Sequence, residues 1–263
     1  MPDAATLQIA PALTVALGAL ALALGGAPLG VLLIDRRMSL VGDSLSHGIL
    51  PGAAIAYLLA GPNPWALTAG ALIAGFVVTG LATLIARSGR LREDAAFAAV
   101  YLPALALGVL ILGRQANPET FESLLFGGAD NLDASTLILS GAAAIATLAG
   151  LVFLRRDPTH RPMLVMMLTA LNLVAGFRAF GALMTVGLMM IPAVAGGFWA
   201  KGFGGRATAA VIVSALSSGG GLIVARRFGL EPGATMTLTA AALLLISGVF
   251  GPVRRQAPLD GAA

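Results

Sequence analysis

The sequence predicts an all-α, polytopic helical membrane protein of about eight or nine transmembrane helices, and three observations carry that prediction. Of 263 residues, 58% are hydrophobic and only 11% charged, where a soluble domain carries about 25% charged residues. The apolar residues gather into stretches near the roughly 20 residues that a helix needs to cross a hydrocarbon core. The apolar–polar alternation of a transmembrane barrel is absent, so the spans must satisfy their backbone polar groups as helices. The 34 glycines suit helices packing closely in lipid, where small residues let backbones approach.

Nine candidate spans follow along the chain. Residues 9–34 form the first, with Gly25-Gly26-Ala27-Pro28 predicting a break because proline removes a helical donor. The preceding Met1-Pro2-Asp3-Ala4-Ala5-Thr6 lacks the positive n-region of a cleaved signal, so this run is expected to be retained. Residues 38–60 hold a polar string inside an apolar stretch. Residues 65–86, 95–112 and 134–154 contain no charge. Residues 163–177 are short, and only Arg178 parts them from 179–200, which predicts a tight hairpin or a partly re-entrant pair. Residues 207–225 and 235–253 complete the set. No internal repeat stands out, and 1–263 reads as a single transmembrane domain.

Charge sets the orientation. With the N-terminus outside and the C-terminus inside, the inner loops hold Arg36, Arg37, Arg87, Arg90, Arg92, Arg155, Arg156, Arg161, Lys201, Arg206, Arg254 and Arg255, against Arg114, Arg178, Arg226 and Arg227 outside. That bias follows the positive-inside rule. It also accounts for the net charge of +4 without nucleic acid as a partner. The absence of cysteine excludes disulfides, thiolate metal sites and cysteine nucleophiles.

The polar string is Gly42-Asp43-Ser44-Leu45-Ser46-His47-Gly48-Ile49-Leu50-Pro51-Gly52. A carboxylate near mid-membrane costs roughly 2.5–3.5 kcal/mol on insertion scales. Asp43 and His47, four residues apart, share one helix face and offer one oxygen and one nitrogen to a divalent cation such as zinc, manganese or ferrous iron. Asp43 should lie about 9 Å into the span and His47 about 15 Å, near the midplane. Pro51 cannot donate to the His47 carbonyl, which should leave that oxygen unpaired. The competing reading makes Asp43 the helix N-cap and His47 a hydrogen-bonded core residue. Two ligands are too few for a closed tetrahedral site, and a two-fold dimer would double them. Ser46 and Pro51 join the pair as pathway or hinge candidates.

Elsewhere the bland readings dominate. Lys201, the single lysine, follows no Gly-x-x-x-x-Gly pattern, so ATP hydrolysis is not assigned to this chain and no catalytic residue is named. The Gly202, Gly204 and Gly205 cluster reads as a turn. The methionines at 163, 166, 167, 184, 189 and 190 read as packing filler rather than a copper(I) path. Pro192 frees the Leu188 carbonyl and is a hinge or pathway candidate, with a packing kink the competing reading. Arg178 reads as an interfacial anchor, or as a contact for an external protein. The acidic stretch with Glu119, Glu122, Asp130 and Asp133 reads as a solvated loop that could also concentrate cations. Asn172 and the serines and threonines inside spans are expected to hydrogen-bond between helices or back along their own helix.

Three strings carry a resemblance. They are Arg36-Arg37-Met38-Ser39-Leu40-Val41 running into the Gly42–Gly52 string, Leu124-Leu125-Phe126-Gly127, and Phe177-Arg178-Ala179-Phe180-Gly181-Ala182-Leu183-Met184 continuing to Met190-Ile191-Pro192-Ala193. In order and spacing the chain resembles the permease subunit of the zinc/manganese/iron class of ATP-binding-cassette importers. The resemblance implies a fold related to the vitamin B12 and siderophore importer permeases. It implies pairing as two copies or two paralogues, cytoplasmic ATPase partners, and an extracytoplasmic metal-binding protein that delivers the ion. The family's acid and histidine map onto Asp43 and His47, the metal contacts in transit. Relatives carry a cytoplasmic coupling helix where this chain has Arg155-Arg156-Asp157-Pro158-Thr159-His160-Arg161-Pro162, a segment about a dozen residues short. Asp157, Pro158 and His160 are the ATPase-contact candidates there.

The expected protein is therefore a multi-pass permease of a bacterial-type plasma membrane, surrounded by lipid. It is not an enzyme, and it holds no permanent cofactor beyond the divalent ion it passes. The alternatives are a siderophore- or cobalamin-type permease, and a proton-coupled transporter using Asp43 and His47 as a relay. Metalloprotease and aspartyl-protease motifs are missing.

Overall fold

In a computed structural model the described residues are 4–89, 91–115, 132–156 and 162–253, and they hold nine helices and no strand. The helices are α1 (Ala4–Asp35), α2 (Val41–Gly48), α3 (Leu50–Ala60), α4 (Pro64–Arg87), α5 (Glu93–Gln115), α6 (Ala134–Arg156), α7 (Pro162–Gly196), α8 (Phe203–Phe228) and α9 (Pro232–Phe250). Every predicted span is helical over most of its length, with 38–60 divided at Ile49 into α2 and α3. Seven helices among the described residues are long and apolar enough to cross a membrane, and Met184–Gly196 is a shorter apolar helix. The Leu124–Gly127 string, Glu119, Glu122, Asp130, Asp157, Pro158 and His160 lie outside the described residues.

The break expected at Gly25–Pro28 does not occur, since α1 stays helical through it. Close packing explains the difference. Gly25 abuts the Asn172 side chain and Ala144, Gly26 lies against Met189, and Gly30 meets the Met189 main-chain oxygen. Neighbouring helices hold a proline-containing transmembrane helix straight where the isolated segment would yield.

The short sixth and seventh spans form a hairpin. Gly181 interrupts α7 with φ 80° and ψ 175°, a conformation that is essentially glycine's alone. Gly176 and Thr185 touch, although nine residues of straight helix would rise about 13 Å. The chain therefore doubles back at Gly181, three residues beyond the charge that marked the boundary in the sequence. We denote the two arms α7a (162–180) and α7b (182–196). The Thr185 hydroxyl closes the turn on the Gly181 carbonyl at 2.6 Å.

Two polar clusters mark the ends of the bundle. Arg206, at the start of α8, makes a bidentate pair with Asp35, at the end of α1, at 2.5 and 2.6 Å. The Val253 N–H reaches the Phe198 carbonyl nearby in the fold. At the opposite end Arg178 joins the starts of α4 and α6. Following the chain between these ends puts Arg36, Arg37, Arg87, Arg92, Lys201 and Arg206 together, the cytoplasmic end by the positive-inside rule.

The core is centred on α1 and α7. One cluster gathers Leu29, Leu33, Val41, Leu45, Leu173 and Met189; another gathers Val15, Phe180, Met184, Leu188 and Met236. Met166, Met184 and Met189 are buried, which agrees with packing. Gly52 and Gly70 bring α3 and α4 into backbone contact, flanked by Ala56 and Ala74. Buried hydroxyls bond back along their helices, as Thr79 does to Gly75 and Thr169 to Val165, both at 2.8 Å. Asn172 crosses from α7 to the Thr147 hydroxyl on α6 at 2.6 Å.

Candidate functional site

α2 presents the Asp43–His47 pair. Its N-cap is Leu40, with no side-chain capping bond, and Asp43 sits inside the first turn. Asp43 is therefore not the cap. Its side chain is exposed, and that of His47, one turn on, is half-buried. Among the described residues neither side chain has a hydrogen-bond or ion-pair partner, which argues against a satisfied core histidine. Ser44 bonds back to Leu40 at 2.9 Å. Ser46 is buried, and its hydroxyl donates to the main-chain oxygen of Asp43, so it faces the core rather than the open side.

The end of α2 lies level with the middle of α4. Ile49, two residues past His47, lies 3.2 Å from where a Cβ on Gly75 would stand, and Gly75 is halfway along the 24-residue α4. The helix is interrupted at Ile49, and Pro51 enters the first turn of α3. The His47 carbonyl receives no bond from Pro51, but it is not left bare. The Ile49 N–H points at it and at the Leu45 carbonyl, 3.2 Å away.

Packing leaves one face of α2 open. On one flank Gly42 meets the methyls of Met189 and Met190 on α7b; on another, Gly48 meets Val78 on α4 and Tyr101 on α5. Among the described residues the side left open carries exposed Asp43 and, less openly, half-buried His47. Among the described residues no three of His, Cys, Asp and Glu come together as a metal-holding group.

The other candidates resolve into structural roles. Pro192 lies inside α7, and the Leu188 carbonyl it frees accepts a bond from Ser214 on α8 at 3.2 Å. Ser214 is one of the span serines expected to bond between helices; that its acceptor is the carbonyl freed by Pro192 was not legible in the sequence. The Arg178 guanidinium stacks over Trp65, 4.6 Å from the ring centroid. It donates to Thr68 at 3.3 Å and to Ser135, and pairs with Asp133 at 3.5 Å. With its side chain 12% exposed, Arg178 is an internal tie, not a free contact for an external protein. Asp133 bonds Ser135 and Thr136, and chiefly those bonds, the Ser135 hydroxyl first, lower its pKa to about 2. Gly202 caps α8 as the expected turn residue, whereas Gly204 and Gly205 lie within the helix.

Comparison with known proteins agrees with this architecture. The manganese transport system membrane protein MntC of Bacillus subtilis is 28% identical over 269 residues, covering 90% of this chain. This chain spans only 60% of that relative's length. The zinc transport system membrane protein TroC of Treponema pallidum is 30% identical over 264 residues, covering 91% of this chain and 89% of its own. The solved structure of PsaBC from Streptococcus pneumoniae, in complex with Fab, superposes with a TM-score of 0.75 at 23% identity over 92% of both chains. That likeness shows a shared fold. Residues 8–161 and 157–251 match the ABC 3 transport family, which leaves little of the chain unmatched: this chain belongs to the ABC 3 transport family.

Proposed function

We propose that this chain is the membrane-spanning permease subunit of an ATP-driven divalent metal importer, carrying zinc, manganese or ferrous iron between two permease subunits past Asp43 and His47. The observation that carries the reading is a carboxylate and an imidazole one turn apart on α2, Asp43 exposed and His47 half-buried, without partners among the described residues. An acid within a membrane span needs a counter-charge or water. A second subunit across a two-fold axis would supply both a wet path and a second pair, bringing the donors to the four of a tetrahedral ion. The cargo named for MntC is manganese and for TroC zinc, both suited to carboxylate and imidazole.

The division of labour follows from what the chain lacks. Without a phosphate-binding loop, nucleotide hydrolysis falls to a cytoplasmic ATPase, docked near Asp157, Pro158 and His160. An extracytoplasmic binding protein delivers the ion to the end marked by Arg178. Alternating access then exposes the pair to each side in turn. Imidazole ligates only when neutral, so acidification weakens transport at this step.

The test is elemental analysis of cells lacking their own importers, expressing this permease with its cognate ATPase and binding protein. Selective accumulation of one divalent metal, abolished by inactivating the ATPase, supports the reading. Accumulation that survives ATPase inactivation but collapses with a protonophore would make the chain a proton-coupled carrier instead.

A further inference from the structure

The residue before Asp43 is a glycine, and both atoms closest to its open side are thioether methyls. A Cβ on Gly42 would stand 2.6 Å from the Met189 methyl and 3.0 Å from the Met190 methyl. Glycine is thus what lets the two methionines reach α2 beside the acid. Their surroundings differ. Met189 is 1% exposed, and its main-chain oxygen packs on Gly30, so it belongs to the core. Met190 is half-buried, like His47, while Asp43 is exposed.

The donor count gives the second observation. Two side chains do not hold an ion in transit, and among the described residues no third His, Cys, Asp or Glu joins them. The Ser46 hydroxyl is committed to the Asp43 carbonyl, and the His47 carbonyl faces the Ile49 N–H. Half-buried Met190, whose methyl meets Gly42, brings a thioether to this flank of α2, and thioethers are selective. They favour soft and borderline ions, whereas carboxylates serve hard manganese equally well. A thioether also binds weakly, as conduction requires of a site that must release its ion.

We propose that Met190 is a specificity-determining residue of the pathway: its thioether, whose methyl meets Gly42 next to Asp43, favours zinc or ferrous iron over manganese. The inference rests on the cation-path reading above. The test is uptake from an equimolar zinc and manganese mixture by the complete importer, permease with ATPase and binding protein, read by mass spectrometry. The variants are Met190→Leu, which keeps the volume and removes the sulfur, Met190→Gln, which substitutes a hard oxygen, and Asp43→Asn. The zinc-to-manganese ratio should fall about threefold or more in Met190→Leu, and further in Met190→Gln, with manganese uptake retained. An unchanged ratio, or an equal loss of both ions in both Met190 variants, overturns the proposal and leaves Met190 a packing residue. Failure of the underlying reading looks different: Asp43→Asn would then carry both ions as well as wild type, whatever Met190 does. Should Met190→Leu fail to reach the membrane folded, Met190→Gln alone decides.

Discussion

The Ser214 hydroxyl donates to the Leu188 carbonyl at 3.2 Å across the α7–α8 interface, replacing the bond that Pro192 cannot make. Both residues are fully buried. The proline therefore creates no orphaned acceptor in the membrane, and α8 is tied to the arm of α7 that also carries Met189 and Met190 against Gly42. Removing one partner should show the dependence. Ser214→Ala is expected to destabilise the protein by about 1–3 kcal/mol, the usual cost of an unsatisfied buried acceptor. In a Pro192→Ala background, where residue 192 regains its N–H, the same change should cost measurably less. Unfolding of the four proteins in detergent gives the cycle; equal costs with and without the proline would detach Ser214 from Pro192.

The turn at Gly181 is a second point of sensitivity. Its φ of 80° with ψ of 175° falls in a region that a Cβ makes costly, by about 1–3 kcal/mol. Gly181→Ala should lower the unfolding midpoint. It should also change the spacing of the two arms, which a label pair at the exposed Met163 and Val194 would report as a shifted distance. An unshifted midpoint and distance would mean that the hairpin tolerates an ordinary residue.

Contact between α3 and α4 depends on two glycines. A Cβ at Gly52 would stand 2.6 Å from the Ala74 Cβ and 2.7 Å from the Gly70 carbonyl carbon, and closer still to its oxygen. Gly52→Ala must therefore push the helices apart, with an overpacking cost of about 1–3 kcal/mol. Gly61→Ala makes a useful contrast: nothing lies within 4 Å of that Cβ, and its positive φ is the sole strain there. Both costs follow from thermal unfolding, and the helix separation from a cross-linking distance. Only Gly52→Ala should change the latter.

Asp133 gives a prediction in pH. Its folded pKa is lowered to about 2, mainly by the Ser135 and Thr136 side chains, from an unfolded value of about 3.9. A depressed pKa contributes stability that is fully present above the unfolded value and is lost as pH falls through the folded one. The difference in unfolding midpoint between wild type and Asp133→Asn should thus stay constant from pH 8 to about pH 5 and shrink between about pH 4 and pH 2. A difference that vanished near pH 6 would assign the effect to another group. With its side chain 59% exposed, Asp133 is subject to solvent screening, so the effect should be modest.

The spans were legible because hydrocarbon thickness sets their length and lipid forbids unpaired backbone. The Asp43–His47 pair was legible because charge in such a stretch is conspicuous, and Pro51 announced the division of α2 from α3. What stayed hidden depends on residues distant in sequence. Pro28 signals a break that packing of Asn172, Ala144 and Met189 on α1 prevents. Arg178 drew the boundary of the sixth span, yet its actual partners lie 110, 45 and 43 residues away at Thr68, Asp133 and Ser135. The backbone requirement that places the turn falls on Gly181 instead. Which face of α2 stays open likewise follows from the docking of α4, α5 and α7b, which periodicity does not reveal.

The central claim is that the open face of α2 carries the cargo, and Asp43→Asn tests it most directly. The substitution keeps the size and removes the charge of an exposed side chain that has no partner among the described residues, so the fold should survive. Metal uptake per folded permease, measured in the complete importer, should fall by about tenfold or more, as removal of metal-site groups usually brings. Uptake equal to wild type, with the protein confirmed in the membrane, would contradict the account and move the path elsewhere.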